Sequence, residues 1–163
     1  MNYTGPAKEV LKKAEKIARE LDHPYVGTEH LLLAFMRVCT GVAGQILSAN
    51  GVEEANLYKI VDELISPVGE VTFQEKPKRS PRLEYTLEES KEEAIRFQSE
   101  AIGTEHMLLA ILREPDSVAT RILLTLNVNI QKIMQDTLEV LGVDIKEYQE
   151  ELQEAYQRKD GIL

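Results

Sequence analysis

Two short blocks gather residues that could do chemistry, among them two of the three histidines: Gly27-Thr28-Glu29-His30 and Gly103-Thr104-Glu105-His106. Each places a hydroxyl, a carboxylate and an imidazole at consecutive positions. The four Glu and His side chains invite a metal reading. Adjacent residues on a helix point about 100° apart, however, so each block would give only one ligand to a shared ion. The other reading of His30 and His106 is packing in the first turn of a helix, with a ring nitrogen bonded to neighbouring backbone. The carboxylates also have two readings. Glu29 and Glu105 each follow a threonine suited to capping a helix, where a negative charge gains roughly 0.3–1 kcal/mol from the helix dipole. A carboxylate beside free helical amides can also hold a guanidinium while the amides hold an anion, which suits a ligand carrying both charges.

The rest of the sequence offers little catalytic machinery. It contains no G-x-x-x-x-G-K-[ST] phosphate loop, no G-x-G-x-x-G, H-E-x-x-H or G-x-S-x-G, and no C-x-x-C pair. No catalytic residue, metal ligand or cofactor is therefore assigned. Cys39, the single cysteine, follows an apolar helical run and reads as structural rather than nucleophilic. A lone cysteine forms no internal disulfide, which fits a reducing, cytoplasmic setting. Nineteen Lys and Arg against 28 Asp and Glu give a net charge of -9, the opposite of the footprint that nucleic acid or anionic lipid requires. No apolar run nears the roughly 20 residues of a membrane span, and no apolar stretch follows a basic N-terminal start.

The elements that must position the two blocks come in duplicate. Residues 27–37 read GTEHLLLAFMR and residues 103–113 read GTEHMLLAILR, with eight of eleven positions identical. The offset of 76 residues extends without a gap, placing Leu11 on Leu87, Ala18 on Ala94, Val26 on Ile102, Ala43 on Ala119 and Val52 on Val128. The chain is two copies of one unit, repeat one over 4–66 and repeat two over 80–142. A proline-rich connector over 67–79 joins them, and a polar helical tail over 143–163 carries Ile145, Tyr148, Leu152 and Tyr156 on one side. Helical spacing of Val10, Ala14, Ile17 and Leu21, then of Leu57, Ile60, Val61, Leu64 and Ile65, makes each unit a small helical bundle. His23-Pro24-Tyr25-Val26-Gly27 breaks the first helix, Thr28 is expected to cap the second, and Asn50-Gly51 stops the third. The fold class expected is all-α, two pseudo-symmetric bundles burying 31–33 and 107–109 at their centre. No stretch demands a sheet; 70–73 is at best a short extended piece.

Two G-T-E-H-[LM]-L-L blocks in paired helical repeats resemble the N-terminal domain of the Clp ATPases, and the tetrapeptide in both copies is similar to the ClpC branch. The resemblance covers residues 3–142, nearly the whole chain. It implies a substrate- and adaptor-receptor domain of an unfoldase. In that family such a domain precedes AAA+ modules, which bind ATP, in a hexamer feeding the ClpP protease. It also implies protein substrates, adaptors such as MecA, and phosphorylated arginine as a ligand. The family's guanidinium-holding glutamate matches Glu29 and Glu105, and its phosphate-side threonine matches Thr4 and, with the hydroxyl kept, Ser80. The resemblance implies that Glu29 pairs with Thr4, and Glu105 with Ser80, in two equivalent pockets. Gly5-Pro6 replaces the family's usual charged pair, and Arg79 stands where an aromatic usually precedes the second hydroxyl. The competing reading is a free-standing accessory subunit of a Clp protease, like the plastid ClpT proteins, bracing the complex instead of recruiting substrates.

Overall fold

The computed structural model describes residues 1–64, 76–142 and, in the tail, 146, 150, 153, 154, 156 and 157. Eight helices occur among them: α1 (Gly5–Glu20), α2 (Thr28–Arg37), α3 (Val42–Ala49), α4 (Glu54–Leu64), α5 (Pro81–Arg96), α6 (Thr104–Leu112), α7 (Val118–Thr125) and α8 (Ile130–Leu141). The first four repeat as the second four, so the fold is all-α and duplicated. Both copies begin alike: Thr4 and Ser80 are N-caps whose hydroxyls accept from Ala7 N and Leu83 N, with proline inside the first turn. Gly51 and Gly142, with φ of 87° and 69°, supply the left-handed stops after α3 and α8.

α2 and α6 form the centre. Leu31, Leu32 and Leu33 are completely buried, as are Met107, Leu108 and Leu109. A helix apolar on all sides needs neighbours all round. α2 therefore packs on α1, α3 and α4 of its own copy and on α5, α6 and α7 of the other, while α6 packs on α5, α7 and α8 and on α1, α2 and α3. On α4, Leu57 and Val61 face the core and Leu64 is exposed, so the stripe expected there ends one turn early. Ile65 and the extended piece at 70–73 lie outside the described residues, as do Ile145, Tyr148 and Leu152. Tyr156 is fully buried, and its hydroxyl donates to Leu112 O at 2.6 Å, satisfying a carbonyl at the end of α6.

The copies also exchange backbone. Strand β1 (Tyr25–Val26) pairs in parallel with β2 (Lys78–Arg79), and Ser80 N donates to Val26 O at 2.9 Å. In the pseudo-equivalent place Tyr3 bridges Ile102, with Thr4 N donating to Ile102 O at 2.9 Å. The segment leading into each copy's first helix is thus fastened to the loop before the other copy's second helix.

Candidate functional site

Every side chain of the G-T-E-H block has its own task. Gly27, not Thr28, is the N-cap of α2, and Gly103 that of α6. The histidine one turn on closes the helix end: Gly27 N donates to His30 Nδ1 at 2.9 Å, and Gly103 N to His106 Nδ1 at 2.9 Å. With Nδ1 accepting, Nε2 of each neutral ring carries the proton, facing His23 Nδ1 at 2.7 Å from His30 and Ser99 Oγ at 3.0 Å from His106. Burial holds both imidazoles neutral, depressing His106 and lowering His30 to about 3 with His23 adding to the effect. With both nitrogens of each ring engaged, neither histidine is open to a metal. Among the described residues no three His, Cys, Asp or Glu side chains gather in a way that could hold one.

Thr28, expected to cap its own helix, caps another. Its hydroxyl accepts from Ala119 N at 3.2 Å in the first turn of α7, and Thr104 Oγ1 accepts from Ala43 N at 3.1 Å in the first turn of α3. The local sequence shows a hydroxyl at a helix start, but not that its acceptor lone pair is aimed across the repeat boundary.

Glu29 folds back over Gly27. A Cβ on Gly27 would lie 1.7 Å from Glu29 Oε1, and one on Gly103 would lie 1.5 Å from Glu105 Oε1. Burial raises both carboxyl pKa values above the usual range, opposed by a hydrogen bond from each residue's own amide. Glu29 is 6% exposed and Glu105 is half-buried.

The expected pairing of Glu29 with Thr4 is corrected. The crossed strands bring Ser80 to Glu29, and both line one cavity of about 400 Å³ with Tyr25, Gly27, Pro81, Arg82 and Val118. Thr4 is fastened instead to Ile102, three residues before Glu105. The copies match in residue type, but each site is assembled from both, which self-comparison of a sequence does not reveal. Arg82, Tyr25 and Val118 were not singled out from sequence; the signal for Arg82 was its position just after a capping serine. Its guanidinium lies 3.4 Å from Glu114. The 76-residue offset puts Pro6 opposite Arg82 and Ala101 opposite Tyr25, so neither the cation nor the ring recurs at the equivalent positions of the other copy. Cys39, read as structural, lies exposed just past the end of α2.

The fold and the pocket define a double-repeat helical domain whose ligand-sized cavity forms where the repeats cross. The chain belongs to the Clp repeat (R) N-terminal domain family, whose model matches residues 2–126. It is 36% identical over 140 residues to the Negative regulator of genetic competence ClpC/MecB of Bacillus subtilis, covering 86% of this chain and 17% of that protein. To the Chaperone protein ClpB of Oceanobacillus iheyensis it is also 36% identical over 140 residues, with the same coverage of 86% and 17%. The chain thus spans about one sixth of these relatives. Among solved structures, the N-terminal domain of ClpD from Arabidopsis thaliana superposes with a TM-score of 0.72 at 20% identity, over 87% of this chain and 96% of that one. The N-domain of ClpV in complex with a VipB peptide gives a TM-score of 0.66 at 20% identity, over 86% and 88%. Among the described residues no single helix is long and apolar enough to cross a membrane.

Proposed function

We propose that this chain is the substrate- and adaptor-receptor domain of a ClpC-type ATP-dependent unfoldase, cytoplasmic, acting with AAA+ modules outside this sequence and through them with ClpP. Its ligand is phosphoarginine on marked proteins, and its adaptors are MecA-like. Family membership and the ClpC and ClpB relatives support the receptor role, as does the peptide held by the ClpV N-domain. ATP belongs to the absent modules, and the chain alone performs no catalysis.

The observation that carries the ligand is the convergence of Glu29, Ser80 and Arg82 on one cavity. Phosphoarginine needs a forked carboxylate for its guanidinium and donors for its phosphate. Glu29 supplies the first. Ser80 Oγ already accepts from Leu83 N, which leaves its proton to donate. The first turn of α5 adds the Arg82 amide, which has no intrahelical acceptor, and the Arg82 guanidinium, 3.4 Å from Glu114, lines the same cavity. Around Glu105, Thr4 repeats the hydroxyl and Gly5 offers the first-turn amide that Pro81 lacks, while Pro6 supplies no cation, so the Glu29 site binds more tightly. Calorimetric titration with phosphoarginine tests the reading. Wild type should bind, unmodified arginine much more weakly, and the Glu29→Ala, Glu105→Ala double variant should lose binding while keeping its melting profile. Equal affinity in both proteins, or no binding to wild type, overturns it.

A further inference from the structure

A second concavity lies on repeat one, away from the G-T-E-H block. Lys12, Lys13 and Lys16 of α1 line it together with Glu9, Arg37 at the end of α2 and the turn after it, at Val38, Cys39 and Thr40, enclosing about 470 Å³. Arg37 is engaged, 2.7 Å from Glu54 and 3.7 Å from Glu20. Lys12, Lys13 and Lys16 form no ion pair among the described residues. Like charges one turn apart on a helix repel, yet a chain with 28 acidic residues sets only Glu9 into this lining.

The duplication supplies an internal comparison. At the 76-residue offset the counterparts of Lys12, Lys13 and Lys16 are Glu88, Glu89 and Glu92, and those of Val38 and Thr40 are Glu114 and Asp116. A fold that repeats its helices and its core inverts the charge of this face from lysine to glutamate, while Glu15 and Glu20 elsewhere on α1 fall on Lys91 and Arg96. The lysines are therefore no requirement of the helix, which carries glutamate at the same three positions in the other copy.

We propose that the Lys12, Lys13 and Lys16 groove is a docking site for an extended acidic protein segment, separate from the Glu29 pocket. Lys12 and Lys16 are four residues apart on one helix, about 5–6 Å between Cβ atoms. Alternate residues of an extended chain are spaced about 6.6 Å apart, so a segment with Asp or Glu at every second position offers one carboxylate each to Lys12 and Lys16. The lysine stems and Val38 give it an apolar floor. Contacts of this kind are electrostatic and weaken with salt.

The probe is a fluorescein-labelled decapeptide alternating glutamate and serine, followed by polarisation. Wild type should bind it at about 50 mM salt and lose most of that affinity near 300 mM. A variant with Lys12→Glu, Lys13→Glu and Lys16→Glu copies what α5 already carries, so it should fold, keep phosphoarginine binding and bind the peptide at least tenfold more weakly. Lys91→Glu with Arg121→Glu and Lys132→Glu, an equal charge change placed in repeat two, should leave peptide affinity within twofold. No binding by wild type, or equal loss in both variants, overturns the proposal. So do wild-type dimers in sedimentation that dissociate in the lysine variant, which would give the groove to α5 of a second copy.

Discussion

Gly27 separates two reasons for keeping a glycine. Its φ of -111° and ψ of -177° are extended backbone that any residue adopts, yet a Cβ there would meet the Glu29 carboxylate. The space, not the torsion, demands glycine. Gly27→Ala must therefore push Glu29 from its seat while the backbone stays. The expected result is a stability loss within about 1 kcal/mol in thermal melts and a tenfold or greater loss of phosphoarginine affinity in calorimetry. Unchanged affinity would show that the seat of the carboxylate does not matter. The imidazoles carry a pH dependence of known sign. The unfolded chain takes up a proton on His30 near pH 6.5, whereas the folded chain waits until about 3, so protons favour unfolding across that window. The stability held by neutral His30 is complete above pH 6.5 and declines by roughly 2 kcal/mol on reaching pH 5. His106, also depressed, acts in the same direction. Glu29 and Glu105, raised by burial, hold their protons more tightly when folded and offset part of the loss at the acid end. Melts at pH 7.5 and 5.0 should show a clear drop in Tm; an equal Tm would contradict a neutral, buried His30. That histidine's bond to nearby backbone was legible in the sequence because it is local. The reach of Thr28 to Ala119 was not, because its partner lies 91 residues away.

α3 and α7 occupy equivalent places but are capped unequally. α7 has its own cap, Ser117, whose hydroxyl accepts from Thr120 N at 3.2 Å, and receives Thr28 from the other copy as well. α3 has Gly41 as its N-cap, which has no side chain to offer, so Thr104 is its side-chain acceptor. A missing cap costs about 1 kcal/mol, more where no second acceptor is near. Thr104→Val should therefore destabilise by about 1–2 kcal/mol and Thr28→Val by less, measured as denaturation midpoints at constant slope. The reverse order would mean that Ser117 does not serve α7 independently. Helix by helix, the sequence was readable wherever periodicity and breakers agreed. The breaks at His23-Pro24 and Asn50-Gly51 fall where expected, and 31–33 and 107–109 are core because their apolar residues leave no polar face. The reading failed where an element's environment came from the other copy. Leu64 continues a perfect helical stripe but ends exposed.

A duplicated sequence is compatible with two independent domains or with one that needs both halves, and the offset alone does not distinguish them. The crossed strands, the crossed threonine caps and the burial of α2 and α6 against each other all favour one cooperative body. A single apolar cluster runs from Ala7 in α1 to Leu138 in α8 and includes Tyr156 of the tail. Each copy's second helix is completed by the other's first and third, so neither copy retains its core alone. Leu108 is fully buried in α6, at the heart of this shared core. Leu108→Ala leaves a cavity and should cost about 2–5 kcal/mol. The location of the damage matters more than its size. If the copies were separate domains, the variant would loosen repeat two and leave repeat one untouched. With one shared core, the most protected amides of α1 and α2 should lose hydrogen-exchange protection by the same free energy as those of α5 and α6. Protection of repeat one at the wild-type level in Leu108→Ala would establish two folding units, and with them a receptor whose Glu29 pocket, built from Tyr25 and Gly27 on one side and Ser80 and Pro81 on the other, spans a domain boundary.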